Sequence, residues 1–182
     1  MSFRIGQRNP LGSDKGFTLV ELLISLVIGS VVLTGVVLIY SSLSKSYTTE
    51  TARAGAQEDI RSGLAVMVED IRMAGLDPLG TAGGGFTISD PTDIEFITDL
   101  DFDGSLDAGE QIRYFLNGTQ LIQRMDDDAT TDEVLLENVS SLNFSYEDGG
   151  REVVVDMTVE KPAGKRGTVS RSLTERIRIR NL

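Results

Sequence analysis

The feature that most constrains this chain is an apolar run at positions 17–40, where 24 residues include one charged side chain, Glu21. At 1.5 Å per residue this run forms a helix of about 36 Å, enough to cross a hydrocarbon layer of about 30 Å. Residues 1–16 carry three basic side chains and one acidic one. Because basic flanks stay in the cytoplasm, the sequence predicts a membrane anchor with its N-terminus inside. A secretory signal peptide has a shorter apolar core and a small-residue cleavage site, which this sequence lacks.

Composition excludes several function classes. The chain has no Cys and no His, so it cannot form disulfides, thiol nucleophiles, Cys/His zinc sites or serine–histidine–aspartate triads. It has 17 Lys and Arg residues against 28 Asp and Glu, a net charge of −11. Nucleic-acid binding needs basic side chains that neutralise phosphates. The sequence therefore indicates neither an enzyme nor a nucleic-acid-binding protein.

Glu21 has two interpretations, because a carboxylate within lipid is costly and marks a functional residue by default. In the first, it lies one turn inside the membrane and reaches back toward the cytoplasmic headgroups. In the second, the chain is cut after Gly16, which leaves Phe17 with a free, cationic α-amino group. That amine, in the same subunit or a packed neighbour, would pair with Glu21 in a low dielectric and fix the axial register of adjacent helices.

Residues 15–21, KGFTLVE, follow a short basic leader and open the apolar helix. This arrangement resembles the type IV prepilin signature, which combines Gly before the cut, Phe after it and Glu fifth in the mature chain. The resemblance implies that a membrane prepilin peptidase cleaves between Gly16 and Phe17 and that the new N-terminus is methylated. It also implies that Glu21 pairs with the Phe17 amine of a neighbouring subunit.

The rest of the chain predicts an α+β fold of the pilin-like layout, in which a long N-terminal helix packs on a mostly antiparallel sheet. Apolar residues at spacings of three and four extend the helix to Ala74, before the stop signals Gly75 and Pro78. The predicted segments are a cleaved leader (1–16), a membrane half (17–40), an amphipathic half (41–75), a linker (76–92) and a β-rich domain (93–182). The stripe of the amphipathic half comprises Leu43, Tyr47, Thr51, Ala54, Ile60, Leu64, Met67, Ile71 and Ala74. Strands are predicted near 94–98, 111–116, 120–124, 134–136, 141–147, 152–159 and 172–180.

An acidic loop at residues 99–110, DLDFDGSLDAGE, matches the calcium-loop pattern D-x-[DN]-x-[DN]-G-x₅-E. Alternating carboxylates suit a hard cation that takes six to eight oxygens, so the loop predicts Ca²⁺ binding. Its flanks read as strands instead of the helices of an EF-hand, and the alternative is a solvated acidic turn. A second acidic run, residues 126–133, lacks this spacing and is interpreted as a solvated loop. The predicted ligands are Asp99, Asp101, Asp103, Ser105 through its carbonyl, Asp107 and Glu110.

Three further segments, residues 69–80, the acidic loop with residues 111–116, and residues 174–181, resemble PilW-type minor pilins. The resemblance implies a bacterial inner-membrane protein, mostly periplasmic, that enters a pilus or primes its assembly. Its implied partners are other minor and major pilins through the N-terminal helix, prepilin peptidase and membrane lipid. One alternative is a J-type pseudopilin of type II secretion. Another is a membrane-anchored, calcium-dependent adhesin or sensor that never polymerises.

Overall fold

The structure is a computed structural model that describes residues 16–181, so the predicted leader lies outside the described residues except for Gly16. A single long helix, α1 (Leu19–Met73), precedes eight strands in the described chain. The predicted α+β class is therefore confirmed. The strands are β1 (Gly85–Asp90), β2 (Asp93–Ile97), β3 (Gln111–Asn117), β4 (Gln120–Met125), β5 (Glu133–Leu136), β6 (Val139–Glu147), β7 (Glu152–Pro162) and β8 (Thr168–Arg178).

The strands form two sheets, which corrects the expectation of a single one. Strands β1 to β5 pair in chain order in one sheet, and β6 to β8 form the other. Every pairing is antiparallel. The change of sheet occurs at residues 137–138, where Asn138 has a φ of 63°. The alternation of apolar and polar residues predicts a strand but not the strand that pairs with it, so the sequence did not predict the division into two sheets.

Strand β1 corrects the predicted linker at residues 76–92. It pairs with β2 through Phe86 opposite Phe96 and Ile88 opposite Ile94. The turn between the strands is held by Asp90, whose Oδ1 accepts hydrogen bonds from the backbone and hydroxyl of Thr92 at 2.9 and 2.7 Å. The glycines at positions 83–85 led to the prediction of a flexible segment. Pairing with a neighbouring strand overrides that weak local preference.

The chain divides into two compact units, with the boundary between Ser44 and Lys45. In the described part of the first unit, the large apolar side chains of α1 are exposed, from Leu19 at 76% to Ile39 at 63%. The helix is long and apolar enough to cross a membrane, and none of its most apolar window is buried within the protein. An exposed apolar surface of this kind needs lipid or another protein to cover it.

In the second unit, α1 packs on both sheets through one stripe. Ile60, Leu64, Met67 and Ile71 are at most 4% exposed, which confirms the C-terminal part of the predicted stripe. The N-terminal part of the predicted stripe, Leu43, Tyr47, Thr51 and Ala54, is exposed and does not pack on the sheets. The helix presents a different face there. The residues that meet the stripe from the sheets include Phe96, Tyr114, Leu121, Val139, Val153, Val155, Met157 and Ile177.

The C-terminal end of α1 is tied to the start of the acidic loop. Gly75 has a φ of 74°, a left-handed conformation that Gly adopts at low cost after a helix. Its N–H donates to the carbonyl of Ile97 at 3.0 Å, and the N–H of Asp99 donates to the carbonyl of Leu76 at 2.8 Å. These two hydrogen bonds fix the entry of residues 99–110 against the helix end.

A polar cluster joins α1 to the larger sheet. The fully buried Tyr114 donates its hydroxyl to Asp70 Oδ2 at 2.5 Å, and Gln123 Nε2 donates to the Tyr114 hydroxyl at 2.9 Å. Burial raises the pKa of the Asp70 carboxyl above its usual value; the Tyr114 hydrogen bond opposes this shift and the charge of Glu69 adds to it. Burial and the neighbouring Asp70 also raise the pKa of the Tyr114 hydroxyl.

The raised pKa of Asp70 predicts a pH-dependent difference from the Asp70→Asn variant. The folded state binds this proton more tightly than the unfolded state, so the stabilisation is present below about pH 4 and is lost as pH rises through the folded pKa. We expect the free energy of unfolding of the wild type to fall relative to that of Asp70→Asn as pH rises from about 4. Denaturant unfolding of both full chains in detergent over a pH series measures this difference. This prediction would be contradicted if the free energy of unfolding of the wild type, relative to that of Asp70→Asn, stayed constant or rose over the same pH range.

Candidate functional site

Two segments carry the residues that the sequence singles out, and the first is the start of α1. Gly16 and Phe17 precede the helix, and Phe17 is 80% exposed. Thr18 caps the helix, because its hydroxyl oxygen accepts a hydrogen bond from the backbone N–H of Glu21 at 3.2 Å. Glu21 is exposed in the first turn, where the helix dipole favours a carboxylate. Its side chain is therefore available to a partner.

The second segment is the acidic loop between β2 and β3, at the end of α1 described above. Gly104 has a φ of 78°, and a Cβ at this position would collide with the Thr81 hydroxyl, so the turn requires Gly. That hydroxyl donates to the Gly104 carbonyl at 2.6 Å. The opposite side of the loop is held by Asp126, which accepts the N–H of Gly109 at 2.7 Å. The loop is thus packed at both sides.

The structure brings three predicted ligands together. Carboxylate oxygens of Asp99, Asp101 and Asp103 lie within 4.8 Å of one another. Asp99 is fully buried, and its Oδ2 accepts the N–H of Gly104 at 3.1 Å. Its other oxygen, Oδ1, is buried with no hydrogen-bond partner among the described residues. A buried charged oxygen without a partner is expensive, and this atom is free to accept a hydrogen bond or to coordinate a cation.

The other two predicted carboxylate ligands, Asp107 and Glu110, lie outside this group in the structure. Glu110 is 3% exposed, and its two oxygens accept the N–H groups of Leu100 and Asp107 at 2.7 and 2.8 Å. The Glu110 carboxylate therefore closes the loop by bonding both its ends. Ser105 donates its N–H to Asp103 Oδ1 at 2.7 Å.

The electrostatics of the loop are unfavourable without a cation. The charge of Asp103 raises the pKa of the exposed Asp107 carboxyl, with partial desolvation and the charge of Asp101 adding to the effect. Like charges at such separations disfavour the ionised state. A divalent cation would reverse this repulsion, and the donors present, carboxylate and carbonyl oxygens, are those that Ca²⁺ prefers.

Sequence reasoning missed residues outside the loop that hold it in place. Asp77 accepts hydrogen bonds from the N–H groups of Thr81 and Gly83 at 3.1 and 3.0 Å, which orders the segment that packs on Gly104. The second acidic run is also more structured than a solvated loop. Asp127 lies 3.6 Å from an Arg113 nitrogen and Asp132 lies 2.7 Å from one of Arg124. The stop signal at Pro78 was visible in the sequence, but the hydrogen bond from Thr81 to Gly104, 23 residues away in the chain, was not.

Comparison with known families identifies the N-terminal segment. A family model described as the prokaryotic N-terminal methylation motif matches residues 12–37, which include Gly16, Phe17 and Glu21. No curated protein and no solved structure shows significant similarity to the chain. This motif, a helix long and apolar enough to cross a membrane, and the antiparallel sheets that follow it are together consistent with a type IV pilin-like protein.

Proposed function

We propose that this chain is a minor pilin of the PilW type, which enters a type IV pilus or primes its assembly. The observation that carries the proposal is the methylation motif at residues 12–37, which includes the start of an exposed apolar helix. Before assembly the helix is covered by membrane lipid. In the filament, the helices of other minor and major pilins cover it.

In this proposal three residues have separate roles. Gly16 is the last residue of the leader and Phe17 becomes the mature N-terminus. Its amine is the cation that Glu21 of a neighbouring subunit binds within the apolar layer. The capping of α1 by Thr18 does not use the Glu21 carboxylate, which leaves that group free for the pairing.

The J-type pseudopilin of type II secretion has the same layout, so the experiment must distinguish the two assemblies. Filaments sheared from cells are analysed for this chain, and secreted proteins are measured in a deletion strain. The minor-pilin proposal expects the chain in the sheared filaments and a loss of piliation on deletion. Normal piliation with a secretion defect would overturn it in favour of the pseudopilin.

We further propose that the loop at residues 99–110 binds one Ca²⁺. The support is the cluster of Asp99, Asp101 and Asp103 together with the buried, unpartnered Asp99 Oδ1. Asp107 and the carbonyl of Ser105 would complete the site, and Glu110 would contribute once its backbone hydrogen bonds are exchanged for the ion. The ion would neutralise the loop and stabilise a domain that has no disulfide.

Calcium is expected to raise the melting temperature of the full chain. With a dissociation constant of about 10⁻⁴–10⁻³ M, about 10 mM calcium stabilises by about 1.4–2.7 kcal/mol, or about 3–10 °C. The shift should vanish in Asp101→Asn/Asp103→Asn, whose carboxylates are exposed, and persist in Glu137→Gln, an exposed acid outside the loop. Calorimetry of each protein in calcium, in magnesium and in chelator measures the melting temperature. Equal melting temperatures with calcium and with chelator would remove the metal assignment.

A further inference from the structure

One cavity lies apart from the acidic loop, and its lining is positively charged where the loop is negatively charged. It has a volume of about 530 Å³ and is lined by five arginines and one isoleucine. Five guanidinium groups around one cavity are unexpected in a chain with a net charge of −11. We call it the arginine cavity; its charged residues are Arg72, Arg151, Arg176, Arg178 and Arg180.

The backbone holds these arginines in place. Arg72 lies in the last turn of α1, and its carbonyl accepts the N–H of Arg180 at 3.3 Å. The carbonyl of Arg151 accepts the N–H of Ile179 at 2.9 Å. The helix end, the start of β7 and the end of β8 therefore meet here through main-chain hydrogen bonds. The backbone positions from which the five side chains extend are therefore fixed by the fold.

Most of this positive charge has no counterpart in the described chain. Arg176 is paired with Glu147 and lies 3.8 Å from a Glu152 oxygen. Within residues 16–181, the guanidinium groups of the other four arginines form no ion pair or side-chain hydrogen bond. Glu69 lines an adjoining cavity with Arg72 and Arg180. The charge of Asp156 also acts on Arg176, so with Glu69, Glu147 and Glu152 five arginines face four carboxylates.

We propose that the arginine cavity binds a carboxylate-rich segment of a neighbouring pilin-like subunit. Guanidinium groups bind carboxylates through charge-assisted hydrogen bonds, as Arg176 already binds the carboxylate of Glu147. The choice of a subunit as the occupant rests on the function proposed above, since pilin-like chains assemble through contacts between different surfaces of successive subunits. Charge complementarity supports this choice, because the chain has a net charge of −11. Two acidic subunits repel each other over most of their surfaces, and a positively charged cavity provides one place where an acidic neighbour is attracted.

The proposal is tested first by peptide binding to the full chain in non-ionic detergent. Fluorescent hexaglutamate is the probe, hexaglutamine is the neutral control, and anisotropy is read at rising salt. The wild type is expected to bind hexaglutamate with an affinity that falls as salt rises. Binding should weaken about tenfold or more in Arg151→Gln/Arg178→Gln, because two charges contribute directly to the contact.

A matched control separates the cavity from general surface charge. Arg61→Gln/Arg171→Gln removes two exposed arginines outside the cavity that form no ion pair in the described chain. It should bind hexaglutamate about as well as the wild type. Equal weakening in both double variants, or no binding by the wild type, would overturn the proposal. Displacement of the peptide by inorganic phosphate at concentrations where acetate has no effect would also overturn it, in favour of a phosphate site.

A cellular measurement then tests whether the occupant is a subunit. The cavity variant should be processed and reach the membrane normally, yet appear in sheared filaments at a level several-fold below the control variant. Incorporation equal to that of the control would overturn the subunit assignment. If the wild type itself were absent from filaments while hexaglutamate binding held, the proposed function would fail and the carboxylate-binding cavity would stand.

Discussion

Gly16→Asp is expected to leave the chain as an unprocessed precursor in the membrane. Gly16 lies before α1, and a Cβ at this position would meet no atom within 4 Å, so the substitution does not disturb the described fold. The loss of processing would therefore report on the peptidase, which must accommodate the residue before the scissile bond. Immunoblots that resolve precursor from mature protein measure the outcome, and nearly complete accumulation of precursor is expected.

Gly29→Ala provides the matched control. Gly29 lies within the apolar segment, and a Cβ there also meets nothing within 4 Å. This variant should be processed like the wild type. Normal processing of Gly16→Asp would place the cut elsewhere, and the assignment of Phe17 as the mature N-terminus would be wrong.

Glu21→Gln is expected to allow processing and to prevent incorporation into filaments. The substitution keeps the size of the side chain and leaves the Thr18 cap intact, because that cap uses the backbone N–H of residue 21. It removes the charge that would pair with the Phe17 amine of a neighbour. An uncompensated charge in a low dielectric costs about 3–5 kcal/mol, so the amount in sheared filaments should fall at least about tenfold.

The control for this variant is Glu58→Gln, an exposed acid on the same helix outside the apolar segment. It should enter filaments at the wild-type level. If Glu21→Gln were incorporated equally well, the pairing role would be wrong. If cellular function survived Glu21→Ala but was lost in Asp103→Ala, the chain would instead be an anchored, calcium-dependent adhesin or sensor.

The helix was the most predictable part of the fold. An unbroken apolar run and the stop signals at Gly75 and Pro78 placed its ends within two residues of those observed, Leu19 and Met73. The buried face at Ile60–Ile71 followed from spacing alone. Spacing did not predict which face is buried near Leu43 and Tyr47. Several faces of a helix can be apolar enough to pack on a sheet, and the surface that the helix meets decides which one is buried.

The sheets were predictable as strands but not as an arrangement. Strands β2 to β7 lie close to the predicted segments, since alternation of apolar and polar residues is a local property. Strand β1 was missed because its stability comes from pairing with β2. Consecutive strands pair throughout both sheets except at β5 and β6, and the alternation along these two strands does not show that they remain unpaired.

The two candidate sites also differ in how far the sequence predicts them. The acidic loop was visible because its spacing is local, and the structure adds what spacing cannot show: the burial of Asp99 and the engagement of Glu110 with the loop backbone. The arginine cavity was invisible to sequence reasoning. Its residues lie at 72, 151 and 176–180, and only the meeting of α1, β7 and β8 brings them together.

The mass and N-terminal sequence of the protein isolated from cells test the central claim most directly. The account predicts a chain that begins at Phe17, lacks the first 16 residues and carries a methyl group on its N-terminal amine. A protein that retains residues 1–16 would contradict the account, because its Glu21 would then have no free Phe17 amine to bind.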